Sequence, residues 1–279
     1  MDDGKRAELE QVALEVRKDI VRMMGVARAH GLSAALTAAD VLVYLYWAHL
    51  RTSPERRNRD DRDRVVLSKG LAAAALYACL SRRGYFGRDE LWSYRRLGAM
   101  LQGYPDLRTP GVDAPGGVAG DGIGVACGIC LGLRMQGIAA NVYCLAGEEE
   151  LREGVAWESL ETAADCRLGN LVLLLDAPLN ADDAGGRLRV LKERLGAWGW
   201  RVCETDGHDF AAIEAAFATL EAAEDVPKVL ILHTVQDGDE ASFRIFDAAA
   251  DTADPITSDD IDNALTALER RGRPEGRAR

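Results

Sequence analysis

The sequence predicts an α/β fold of three layers, α/β/α, with a mostly parallel sheet between two sets of helices. Strand-like and helix-like patterns alternate through the middle of the chain, which is the signature of βαβ crossovers. The run NLVLLLD (170–176) is apolar at every position from Leu171 to Leu175, as in a strand covered on both faces. A Gly- and Pro-rich stretch of about 27 residues (98–124) lies inside this pattern. A loop of that length in a compact domain usually carries function.

The elements follow in order. Residues 7–29 predict an amphipathic helix, with Leu9, Val12, Val16, Ile20 and Met23 at three- and four-residue spacings. Gly31 and Ser33 break that pattern, and Thr37 is the expected N-cap of a second helix reaching His49. PERRNRDDRDR (54–64) is a charged loop, RVVLS (64–68) a short strand, and LAAAALYACLS (71–81) an Ala-rich helix. After the long loop come a helix over about 122–136, a strand over 141–147, a helix over 151–166 and the strand 170–176. APLNADDAGG (177–186) is a loop, followed by a helix from 187, a strand from 201, a helix over 209–224 and a strand over 228–234. The alternation defines a main domain over 1–247. The remainder, 248–279, is expected to hold a short capped helix in SDDIDNALTALERR and a loose basic tail.

Composition narrows the function classes. The chain has 279 residues, 48% of them hydrophobic, enough for a sizeable core. Its net charge of −11 argues against a nucleic-acid surface. No apolar run approaches the roughly 18 residues of a membrane span, and MDDGKRAELE has no apolar signal region. A cytoplasmic location with reduced thiols is therefore the expectation for the six cysteines. Cys127 and Cys130 form a CxxC without a second pair or a nearby histidine, in a segment that reads as a buried helix, so packing is their expected role.

Ten segments taken in chain order carry a resemblance: AADVL (38–42), DRDRVVLSKG (61–70), LYACLSRRGYF (76–86), LGAMLQGYPD (97–106), TPGV (109–112), GGVAGDGIGVACGICLGLRMQG (116–137), LAGEEELREGVAWES (145–159), NLVLLLD (170–176), AWGWRVCETDGHD (197–209) and HTVQDGDEASF (233–243). Their order and spacing resemble transketolases, specifically the kind in which the enzyme is split into two chains. The resemblance implies the thiamin diphosphate-binding fold and, within it, the domain that holds the diphosphate and a divalent metal. A second domain, expected on a separately encoded pyrimidine-domain chain, would hold the pyrimidine ring and supply its activating glutamate. Cofactor sites in the family form across a subunit interface, which implies a hetero- or homo-oligomer.

The site residues that the resemblance implies are partly kept and partly replaced. Ser68, Lys69 and Gly70 keep the Ser-Lys-Gly motif, and Gly117, Gly120 and Gly122 keep the turn whose bare backbone approaches the diphosphate. Asp121 stands where a neutral residue is usual. The three family histidines fall on Gly31, Leu71 and Tyr104, with His30 one residue beside the first. His30 and Tyr104 are thus the candidates for those polar roles, and Glu153 matches a family carboxylate at the subunit interface. The metal motif Gly-Asp-Gly-Glu reads Gly147, Glu148, Glu149, Glu150. Glu148 keeps a carboxylate one methylene longer than Mg²⁺ geometry favours. Glu149 puts a bulky anion under the diphosphate, where repulsion with one phosphate charge at about 5 Å costs roughly 1 to 3 kcal/mol. The second metal position falls on Pro178, leaving Asn180 as the candidate. Glu148, Glu149 and Glu150 also read as a solvated acidic helix start, and His208 as a turn residue before the helix at 209.

Three readings follow. In the first, the chain is a non-catalytic or divergent subunit of a transketolase-type complex in which thiamine diphosphate and Mg²⁺ are doubtful. In the second, it is a thiamine-independent enzyme or binder using the emptied anion cleft. In the third, it is an active two-carbon ketol transferase subunit with a rewired site.

Overall fold

The computed structural model describes residues 1–178, 184–222, 225–235, 243, 246–247 and 256–271. The chain forms two compact units. One comprises Met1–His49, Leu71–Gly103 and Gln236–Arg279, the other Leu50–Gly70 and Tyr104–Val235.

The second unit carries the sheet. Among the described residues its strands are β1 (Arg64–Leu67), β2 (Val142–Gly147), β3 (Leu171–Pro178), β4 (Arg201–Asp206) and β5 (Lys228–Thr234), in the spatial order β1-β2-β3-β5-β4. Every pairing is parallel. Register sets the two faces, because side chains alternate along a strand. Val66, Cys144, Leu173 and Val229 lie in one row across the sheet, and Leu67, Leu145, Leu174 and Leu230 in the next. The first row belongs to a core shared with Ile123 and Cys127, Leu160, and Leu188 and Leu191. These residues come from α4 (Asp121–Met135), α5 (Gly154–Asp165) and α6 (Ala184–Ala197) respectively. On the opposite face Phe217 of α7 (Phe210–Glu221) packs on Tyr143, with ring centroids 6.2 Å apart. This is the three-layer arrangement, and the apolar runs within its central strands follow from being covered on both sides.

β3 runs two residues past its expected end, through Ala177 and Pro178, pairing Pro178 with Thr234. A proline is tolerated there because the missing N–H falls where the ladder stops. Cys127 and Cys130 both lie buried in α4. Burial pushes the Cys127 thiol up to about 11, which leaves it protonated and inert at neutral pH.

The first unit is helical: α1 (Asp3–Ala27), α2 (Leu32–Tyr44) with a π-type turn over Leu45–His49, α3 (Ala73–Arg82) and α8 (Ser258–Arg271). α1 packs against α2, α3 and α8. Its buried Asp19 is held by Arg82 at 2.6 Å and Arg88 at 2.6 Å. The start of α2 departs from expectation. Thr37 is buried inside the helix, its hydroxyl donating to the Ala34 carbonyl at 3.3 Å. Gly31 is the N-cap, with φ +91, and has no side chain with which to cap. The cap comes from far along the chain, since the Asp247 carboxylate accepts both the Ser33 N–H at 3.0 Å and the Ser33 hydroxyl. A local reading cannot find a cap 214 residues away.

Asp247→Ala is expected to remove that cap and destabilise the fold by about 0.5–2 kcal/mol. A thermal melt checks this, with Tm falling by a few degrees for a chain of this size.

Candidate functional site at the carboxyl ends of the strands

One group of buried polar residues in the second unit lies where the parallel strands end, the place where open α/β sheets bind ligands. Ser68 and Lys69 follow β1 and are buried. The Lys69 ammonium lies 2.5 Å from Asp176 on β3, and the Thr234 hydroxyl donates to the other Asp176 oxygen at 2.5 Å. Both members of the ion pair are almost wholly excluded from water. A buried carboxylate needs such a counter-charge, so the positive charge of the Ser-Lys-Gly motif is neutralised inside the protein.

Glu150 forms the second buried polar centre. One of its carboxylate oxygens accepts the Ser68 hydroxyl at 2.8 Å and the Gly120 N–H at 2.9 Å, and the other accepts the Gly147 N–H at 2.8 Å. Three segments are thereby joined: the end of β1, the turn before α4 and the end of β2. Burial raises the Glu150 pKa above its usual value, against the lowering effect of these three bonds. The reading of Glu148–Glu150 as a solvated acidic start is therefore corrected at Glu150, which is 2% exposed. The sequence signal for this was available, because Glu150 occupies the retained fourth position of the Gly-Asp-Gly-Glu motif.

The candidate glycines divide by what a side chain would meet. A Cβ on Gly122 would strike Ser68, and one on Gly70 would strike the Tyr104 ring, so close packing within the unit accounts for both. Gly120 has φ +83 and faces Glu153, Val155 and Ala156. Gly117 borders open space. A Cβ on Gly147 would collide with the Glu149 carboxylate, which folds back against this bare backbone.

The remaining candidates are dispersed. Glu148 starts the 3-10 turn Glu148–Arg152 and pairs with Arg187 of α6 at 3.5 Å. Glu153 is exposed at the N-cap of α5 without a side-chain capping bond. Asp121 is exposed in the first turn of α4. The Tyr104 ring covers Gly70 with about half of the side chain in solvent. In the helical unit Leu71 is exposed, and the buried His30 Nδ1 has no hydrogen-bond partner among the described residues. Asn180 lies outside the described residues. His208 is a turn residue as expected: its N–H donates to Asp206 at 2.8 Å and its Nε2 accepts the Val235 N–H at 3.0 Å. Asp209 caps α7. Among the described residues no three His, Cys, Asp or Glu side chains are grouped to hold a metal, and no helix is long and apolar enough to cross a membrane.

A parallel sheet with Ser-Lys-Gly, a glycine turn opening a helix and a carboxylate turn gathered at its strand ends belongs to the class of α/β domain that places ligands beyond the carboxyl ends of its strands. Residues 16–268 match the family described as "Transketolase, thiamine diphosphate binding domain", and the chain belongs to the transketolase family. It is 30% identical over 273 residues to the 6-deoxy-6-sulfo-D-fructose transketolase subunit SqwG of Clostridium sp. (strain MSTE9), covering 96% of this chain and 98% of the relative. It is 32% identical to an apulose-4-phosphate transketolase subunit of Actinobacillus succinogenes, over 82% of this chain and 85% of the relative. The crystal structure of Campylobacter jejuni transketolase superimposes with a TM-score of 0.82 at 26% identity. That match covers 96% of this chain but only 43% of that transketolase.

Glu150→Gln tests the buried junction. The new amide would turn a donor toward the Gly147 or Gly120 N–H, at an expected cost of about 1–3 kcal/mol in denaturant unfolding. Because the folded-state pKa is raised, the folded chain binds this proton more tightly than the unfolded chain. The glutamate's own contribution to stability is therefore greatest below the ordinary carboxylate pKa and declines as pH rises through the raised value. The stability difference between wild type and Glu150→Gln should shrink over that interval.

Proposed function

We propose that this chain is the N-terminal subunit of a split transketolase-type complex, that it assembles with a pyrimidine-domain chain, and that its own end of the thiamine diphosphate and Mg²⁺ site does not fit the cofactor. One observation carries the reading: Glu149 stands where the family has a bare glycine under the diphosphate, and its carboxylate lies against the backbone of Gly147. Other features support it. Glu148 is engaged by Arg187, β3 ends in Pro178, which has no side-chain ligand, and the Lys69 charge is held by Asp176. Each of these either adds negative charge or withdraws a donor at the end of the sheet that would face phosphate. The role of such a subunit is structural or regulatory within the complex.

A second reading, an active ketol transferase subunit, is favoured by length and by the intact frame. The relatives matched over 98% and 85% of their length are named as transketolase subunits, and Ser68, Lys69 and Glu150 remain joined to their neighbours. In that case Glu149 would have to swing clear of Gly147. Calorimetric titration of thiamine diphosphate with Mg²⁺ into the chain plus its pyrimidine-domain partner separates the two. The proposal expects tight association of the chains and no saturable cofactor heat from this chain's residues. Tight, Mg²⁺-dependent binding abolished by changes at 147–150 would replace it with the second reading.

Glu149→Gly combined with Pro178→Asn restores backbone room and a neutral oxygen ligand. The double variant is expected to bind thiamine diphosphate at least about fivefold more tightly than wild type, since removing one carboxylate near a phosphate relieves roughly 1 to 3 kcal/mol. The same titration reads the change.

A further inference from the structure

α6 meets the turn that follows β2 directly through Arg187 and indirectly through Trp157 of α5. Arg187, in the first turns of α6, lies 3.5 Å from the Glu148 carboxylate at the start of the turn. Arg194, two helical turns further along the same face, stacks over the Trp157 ring at 5.4 Å. The Trp157 indole N–H in turn donates to the Leu151 carbonyl, in the same turn as Glu148, at 2.7 Å. Trp198, just past the end of α6, completes the clamp with an edge-on contact to Trp157 at 6.1 Å. The helix that carries Arg187 is thus seated on Trp157 of α5, which is itself bonded to the turn, and this places the half-exposed guanidinium beside Glu148.

The charges explain why a cation belongs there. The Glu148 side chain is 17% exposed and has Glu149 as its neighbour. The ammonium at this end of the sheet, Lys69, is already paired with Asp176.

We propose that Arg187 is the resident counter-cation of Glu148 and holds the position at which the family places a divalent metal ion, so that the β2 turn of this chain is neutralised by the protein and excludes Mg²⁺. The inference deepens the functional reading above and rests on it in taking Glu148 as the metal-ligand position. It requires no ligand and no chemical step. Its physical content is electrostatic, because a guanidinium about 5 Å from a divalent ion repels it enough to weaken binding about tenfold even in water.

The test uses Mn²⁺ alone, followed by electron paramagnetic resonance on the full chain. Wild type is expected to show no saturable Mn²⁺ binding at this turn. Arg187→Ala should gain it, with affinity tightened at least about tenfold. Arg187→Lys, which keeps the charge, should remain like wild type. Arg187→Ala with Glu148→Gln should lose the gain, which ties the effect to this pair. Equal Mn²⁺ affinity in wild type and Arg187→Ala, at any level, would overturn the inference, as would a gain that survives Glu148→Gln. Far-ultraviolet circular dichroism confirms that each variant is folded, and Arg187 is exposed enough that its removal leaves the core intact. Association with a pyrimidine-domain chain is measured on the same samples. Failure of the metal result with association intact refutes only the role of Arg187, whereas loss of association in wild type refutes the subunit reading.

Discussion

The buried carboxylate of Glu150 is the constraint on which the strand-end architecture depends. It is the common acceptor for a side chain after β1, an amide in the turn before α4 and an amide at the end of β2. In an interior of low dielectric, each of those donors would cost about 1–3 kcal/mol if left unpaired. One acidic residue therefore sets the relative positions of three segments that are far apart in sequence. Gly122 belongs to the same construction, because its missing side chain lets α4 approach Ser68. The backbone geometry of the glycine turn before α4 is maintained by contacts within the protein.

Around this junction the charge balance is acidic. Glu148, Glu149, Glu153 and Asp121 lie at or beside the strand ends, and two of the neighbouring cations are paired. Lys69 sits within bonding distance of Asp176, and Arg187 faces Glu148. A diphosphate approaching such a surface meets repulsion unless a metal or a movement of Glu149 offsets it. The frame of a transketolase domain thus coexists with a cluster of carboxylates at its strand ends, and the proposed role follows from giving weight to that cluster.

Much of the fold was legible in the sequence for identifiable reasons. Strands buried on both faces give uninterrupted apolar runs, so β3 and β5 were unmistakable, and alternation with helical segments implied parallel pairing. Errors arose where distant residues decide. Thr37 looks like a local N-cap, yet α2 begins five residues earlier because Asp247 caps it across the chain. Pro178 looks like the first residue of a loop, yet it ends a strand where no donor is needed. At the site, motif order placed Ser68 and Lys69 after a short strand and Gly120 and Gly122 at the start of a helix, where the structure has them. Sequence did not reveal that Lys69 is consumed by Asp176, that Gly70 is kept bare by the Tyr104 ring, or that Glu150 is buried while its two neighbours are not. Those facts depend on which way a side chain turns, and a run of three glutamates carries no information on that.

Phosphorus nuclear magnetic resonance of thiamine diphosphate with Mg²⁺, recorded as the assembled chain is added, tests most directly whether this turn rejects the cofactor. If it does, the two diphosphate resonances keep their positions and widths, apart from any binding that persists when residues 147–150 are altered. Resonances that shift or broaden with wild type, and recover on altering Glu148 or Gly147, would mean that the diphosphate is seated against this turn and would contradict the proposed role.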